Sequence, residues 1–141
     1  MRVTAREDYG IRAVVDIALN RSNAPIQARD ISVRQGIPEQ FLEQVLSALR
    51  RAGVVKSIRG ASGGYDLAKS ADQITVGDVL RALSGPLLPD MPSSVNGGTG
   101  AEFFWSRLRA AVKEVADGTT VQELVDYELN RRQVHSYMMH I

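Results

Sequence analysis

The 141-residue sequence predicts a mainly α-helical fold with one small β-hairpin. Three observations predict it. Apolar residues recur at helical spacing along most of the chain. One glycine-rich stretch, residues 57–67, lies between two short apolar runs, Val54-Val55 before and Tyr65 to Ala68 after, and reads as a thin hairpin tip. A run rich in glycine and proline, residues 85–100, separates the first 84 residues from further helical segments.

Composition narrows the function classes. Apolar content of 44% with 23% charged residues is that of a globular chain. No run approaches the roughly 20 apolar residues that span a bilayer. The N-terminus, residues 1–8, is polar and lacks a signal-peptide core. The expectation is a cytoplasmic protein with no membrane partner. The absence of cysteine excludes disulfides, thiolate zinc sites, cysteine-ligated iron–sulfur clusters and thiol sensors within this chain. His135 and His140, the only histidines, fall in the last seven residues, which excludes a histidine dyad in the core. No paired carboxylates suggest acid–base work, so neither an enzyme nor a cofactor is expected. Charge is uneven. Residues 1–70 hold 11 Lys+Arg against 7 Asp+Glu, net +4, and residues 71–141 hold 6 against 9, net −3. The first half can face a polyanion.

In chain order, residues 7–20 read as a helix through Ile11, Val14, Val15 and Ala18, and Thr4 with Glu7 resembles a capping box. Arg21 to Pro25 form a loop. A short helix spans about 27–34, and Gly36 ends it. Pro38 sits at the first position of the next helix, with Ile37 before it. That helix, 38–52, buries Leu42, Val45, Leu46 and Leu49. It carries Gln40, Glu43, Gln44, Ser47 and Arg51 along one polar stripe. Such a stripe is a solvated face unless its neighbours give it another role. Two helices around a glycine turn match a helix-turn-helix, and glutamine, glutamate and serine can bond base edges in a major groove.

Gly53 ends this helix and the hairpin follows at once. A helix-turn-helix running into a hairpin is the winged-helix order. In that arrangement Arg59, followed by Gly60 at the wing tip, reaches the minor groove or the DNA backbone. Arg29, Arg34, Arg50, Lys56 and Lys69 are candidate phosphate contacts. Residues 74–84 form a helix that Thr75 can cap, with Val76, Val79, Leu80 and Leu83 on its apolar face. Residues 85–100 are expected to be a flexible linker. A long helix at 101–117 presents Phe104, Trp105, Leu108, Val112 and Val115, more apolar surface than one side can bury. It is expected to dimerise the chain, the alternative being that it folds back on its own winged helix. Thr119 or Thr120 caps a last short helix through Val121, Leu124 and Val125. The predicted domains are therefore a winged helix-turn-helix at 1–84, the linker at 85–100, dimerisation helices at 101–129 and a polar tail at 130–141. The tail ends in an apolar patch, Tyr137 to Ile141, that packs on its own dimer or is captured by a partner.

Asp8-Tyr9-Gly10, Phe41-Leu42-Glu43-Gln44, Ser57-Ile58-Arg59-Gly60, Gly63-Gly64-Tyr65 and Ile74-Thr75-Val76-Gly77-Asp78-Val79 together resemble the winged-helix transcription regulators of the IscR, NsrR and CymR family. Gly85-Pro86, Trp105, Thr119-Thr120 and the ending Tyr137-Met138-Met139-His140-Ile141 are similar to its cysteine-metabolism repressor branch. The resemblance implies a dimeric, sequence-specific repressor of cysteine or sulfur genes that binds double-stranded DNA. It places Gln40, Glu43 and Gln44 in base-reading positions and Arg59 as the wing arginine. It further implies a partner, cysteine synthase (O-acetylserine thiol-lyase), contacted through Tyr137 and Ile141. Iron–sulfur members carry three cysteines in the stretch that corresponds to 85–100, and this chain carries none. Asp8 also departs from the family, standing where a basic residue is usual, and Gln40 occupies a position that varies among members. A protein-interaction module that no longer reads DNA is the alternative function.

Overall fold

In a computed structural model, residues 3–89, 92 and 98–140 are described. Helix α1 (Ala5–Leu19) is followed by a 3-10 turn, then α2 (Ala28–Gln35) and α3 (Glu39–Arg51). The hairpin is β1 (Val55–Ile58) and β2 (Gly64–Leu67), and α4 (Val76–Ser84), α5 (Gly100–Gly118) and α6 (Val121–Met139) complete the chain. Mainly helical with a two-stranded antiparallel hairpin, it is the fold class expected.

One core joins these elements. Val14 and Ile17 of α1, Ile31 of α2, Leu42, Val45, Leu46 and Leu49 of α3, and Val79 of α4 are all buried in it. Burying each large aliphatic side chain stabilises the fold by about 1.5–3 kcal/mol. Helix α1 crosses α4 closely because Gly10 has no side chain, and a Cβ there would lie 2.1 Å from Leu83 Cδ1. Helix α2 is pinned to α1 by charge. Asp16, buried on α1, accepts from Arg34 Nη2 at 2.8 Å and from Gln35 Nε2 at 3.0 Å. Gly36 then turns the chain at φ +65°, a left-handed conformation that suits glycine.

Pro38 is the N-cap of α3 rather than its first helical residue, with ψ 131°, and its carbonyl accepts from the Leu42 N–H at 2.9 Å. No side chain caps this start. The Ser32 hydroxyl donates to the Ile37 carbonyl, and the Ile37 N–H donates to the Ser32 carbonyl at 3.1 Å, so the turn itself holds the helix in place. In α4 the predicted cap forms: the Thr75 hydroxyl accepts from the Asp78 N–H at 3.0 Å, and the Thr75 N–H donates to Asp78 Oδ2 at 3.0 Å.

The C-terminal helices differ from the sequence reading. Thr120, not Thr119, caps α6, accepting from the Glu123 N–H at 3.1 Å. The last helix is not short: it runs 19 residues to Met139, so 130–139 is helix rather than tail. Residues 130–139 contain neither glycine nor proline to stop it, and Arg132 pairs with Glu128 one turn back at 3.4 Å. Val121 and Val125 of α6 sit in the same core as α1 and α3. Two backbone bonds, Val76 N–H to Thr119 O and Val121 N–H to Ile74 O, each 2.8 Å, tie the α5–α6 turn to the start of α4. The Arg81–Asp117 ion pair at 2.6 Å fastens α5 to α4. Of the predicted linker, 90, 91 and 93–97 lie outside the described residues.

Candidate nucleic-acid interface

Amphipathic spacing orients α3. With Leu42, Val45, Leu46 and Leu49 buried, the opposite side must face outward. Gln40, Glu43, Gln44 and Arg51 are exposed and Ser47 is half-buried, and these five residues line one open hollow of about 510 Å³. The predicted stripe is thus a single surface. A sixth residue completes it: Arg6, from the first turn of α1. The period of α3 carries no sign of Arg6, because it belongs to another helix. Its Nε donates to the Leu83 carbonyl at 2.9 Å, which brings it beside α3.

The wing is built to protrude. Its register pairs Val55 with Leu67, Lys56 with Asp66, Ser57 with Tyr65 and Ile58 with Gly64. Only the base pair, Val55 and Leu67, is buried. Ile26 adds a single bridge to Tyr65, with Tyr65 N–H to Ile26 O at 2.7 Å. That close pass requires glycine at 64, where a Cβ would lie 2.5 Å from the Ile26 carbonyl oxygen. At the tip Gly60 adopts φ +120° and Gly63 N–H closes the turn onto its carbonyl at 2.9 Å. Arg59, Gly60 and Lys56 are exposed, and Arg59 has no ion pair or hydrogen bond among the described residues.

The remaining cations separate into two groups. Arg29, Arg50 and Lys69 are exposed. Arg34 is committed to Asp16, and that hydrogen bond raises its pKa against the opposing pull of burial. This guanidinium anchors α2 to α1. Asp8 pairs with Arg12 at 2.6 Å, and Arg12 also donates to the Gln35 carbonyl at 3.1 Å. The departure at Asp8 therefore has an internal use, since Asp8 steadies the arginine that holds the end of α2.

Next to Arg6 in the chain, buried Glu7 accepts from the Thr4 N–H at 2.9 Å, from the Thr4 hydroxyl and from the Ser84 hydroxyl. Burial pushes its carboxyl upward, but the Ser84 and Thr4 hydrogen bonds outweigh burial and hold the pKa at about 2. The first turn of α1 is thus latched to the last turn of α4.

The predicted dimerisation residues are distributed over α5. Phe104, Leu108 and Val115 are exposed, while Trp105 and Val112 are half-buried, with Trp105 tilted against Phe104 at 4.9 Å. Helix α6 adds exposed Tyr127, Val134, Tyr137 and Met138; the last two belong to the expected apolar patch at 137–141, and Tyr127 and Val134 extend it back along the helix. Ile141 lies outside the described residues.

A helix-turn-helix leading directly into a hairpin defines the winged-helix class of transcription regulators. The family model for Rrf2, described as an iron-dependent transcriptional regulator, matches residues 3–127, and the chain belongs to this family. It is 38% identical over 141 residues to the HTH-type transcriptional regulator CymR of Bacillus subtilis, covering all of both chains. It is 48% identical over 131 residues to IscR of Cronobacter sakazakii, covering 89% of this chain and 81% of the relative. Among solved structures it is similar to CymR, the global cysteine regulator of B. subtilis, with TM-score 0.80, 38% identity and coverage of 90% and 98%. IscR of T. potens matches with TM-score 0.77, 34% identity and coverage of 91% and 88%. These relatives are transcriptional regulators, not enzymes.

The family description raises iron, and the donor set does not fit it. The chain has no cysteine, its two histidines lie near its end, and no three His, Cys, Asp or Glu gather among the described residues. Among those residues no helix is long and apolar enough to cross a membrane.

Proposed function

We propose that this protein is a dimeric, sequence-specific DNA-binding repressor that works without an iron–sulfur cluster. The observation that carries the reading is the single polar surface of α3 followed in sequence by a wing whose tip arginine is unpaired. Gln40, Glu43, Gln44 and Ser47 supply donors and acceptors for base edges in a major groove. Arg59 enters the adjoining minor groove, and Gly60 keeps the tip thin. Arg29, Arg50, Arg51, Lys56 and Lys69 contact phosphates. Arg34 contributes through α2, by fixing the turn that positions α3.

Apolar residues left exposed on α5 and the outer part of α6 support a two-fold dimer. The similarity to CymR supports targets in cysteine or sulfur metabolism, and a cytoplasmic location follows from that role. It also supports capture of the C-terminus by cysteine synthase, with Tyr137, exposed in the last turn of α6, beside it. Unchanged cysteine synthase binding after deletion of 137–141 would rule that partner contact out.

A mobility-shift titration against the protein's own upstream region tests the central reading. A specific, salt-weakened complex is expected. The second reading, an interaction module that no longer binds DNA, draws on the low net charge of +1 and on arginines 12, 21 and 34 being paired internally. It predicts no shift even at low salt.

A further inference from the structure

Arg6 lies outside the helix-turn-helix and the wing, yet it shares the hollow with the stripe of α3. Two features set it apart from the surface cations. Its Nε is bound to the Leu83 carbonyl at 2.9 Å, which fixes the plane of the guanidinium. Its Nη groups have no protein partner among the described residues. A planar fork held by one nitrogen and free at the other two is pre-organised for a tetrahedral oxyanion, and little side-chain freedom remains to be lost on contact. The residue is also mounted on a rigid base. Glu7 beside it is held by Ser84 and Thr4, so the first turn of α1 cannot swing away from α4.

We infer that Arg6 is a phosphate clamp, gripping a DNA backbone phosphate at the edge of the major groove and setting the register of α3. The inference rests on the DNA-binding reading above. A backbone phosphate is favoured over a base because Arg6 comes from α1, alongside the recognition helix, whereas base edges lie in front of that helix. Glu43 in the same hollow strengthens the case. A carboxylate on a DNA-facing surface repels phosphates, and a fixed cation across the hollow offsets that repulsion while leaving Glu43 to accept from a base. Leu83 is in the last turn of α4, so the clamp is also positioned by the helix that precedes residues 85–100.

The test uses full-length protein and a 30-bp duplex recovered by selection from a random-sequence library. Affinity is measured by fluorescence anisotropy across a salt series. Arg6→Gln keeps a donor for the Leu83 carbonyl and removes the charge. It is expected to flatten the slope of log K against log salt by about one, equivalent to about tenfold in affinity across a tenfold salt range, with the unfolding midpoint unchanged. Arg6→Lys keeps the charge without the fork and is expected to show the wild-type slope with weaker binding. An Arg6→Gln protein with wild-type slope and affinity overturns the inference alone. So does altered base preference on reselection with an unaltered slope, which would make Arg6 a base reader. Wild-type protein that yields no selected duplex and no salt-dependent binding overturns the DNA-binding reading itself.

Discussion

The wing and the outer half of α6 both project from the core, and they carry opposite surfaces. The wing beyond its base carries glycine, a lysine and an unpaired arginine, with Ile58 its one exposed large aliphatic residue. The outer part of α6 exposes Tyr127, Val134, Tyr137 and Met138, with Tyr137 at 69%. A thin cationic protrusion gains by meeting a polyanion and costs little in water. A row of large apolar side chains left exposed on such a helix is costly in water and gains by meeting protein. Projection alone does not define function. What each projection leaves unsatisfied does.

The largest effect is expected from charging the apolar protrusions. Leu108→Glu, Val134→Glu and Met138→Glu combined should give a monomer in light scattering at micromolar concentration, where the wild type is expected to be a dimer. Loss of two-site binding should then weaken DNA affinity roughly 100-fold or more. A dimer that survives would show that the exposed α5 and α6 surface is not its seam. Next is the cationic tip. Arg59→Ala should cost about 1–3 kcal/mol of DNA binding, read by anisotropy, and leave dimerisation and thermal stability alone.

Arg34 sharpens the contrast because it belongs to neither projection. Arg34→Ala leaves Asp16 buried with Gln35 as its remaining side-chain partner. It should destabilise the fold by about 2 kcal/mol, a drop of roughly 5 °C in the unfolding midpoint, whereas Arg59→Ala should not. The smallest effect is that of pH. Glu7 is held at about 2, below the ordinary carboxylate value of 4.5, so its folded pKa is depressed. Its contribution is therefore present above pH 4.5 and lost as pH falls toward 2. Denaturant titrations of Glu7→Gln should show a lower plateau at neutral pH, by about 1 kcal/mol, and a shallower acid decline than wild type.

Legibility followed burial. The stripes of α1, α3 and α4 were readable because each packs within the chain, so helical period and core coincide. The wing was readable because glycine at 60, 63 and 64 answers a conformational or steric demand. The pairing of Arg34 was not legible because its partner Asp16 is 18 residues away, and sequence spacing carries no sign of that contact. Arg6 is not legible in the sequence because its place beside α3 depends on a contact with Leu83, 77 residues on. The outer part of α6 read as a tail because it buries nothing within the chain and so has no intramolecular face to give it a period. Its helical state rests on local propensity and pairs such as Arg132 with Glu128.

Footprinting on the upstream region, with wild type and Arg59→Ala side by side, decides whether the α3 surface and the wing read a specific DNA site. Two protected half-sites related by a dyad are expected, their centres roughly 34–36 Å apart or a multiple of that, with protection weakened by the wing substitution. Uniform protection without a preferred site, or none at low salt, would contradict this expectation.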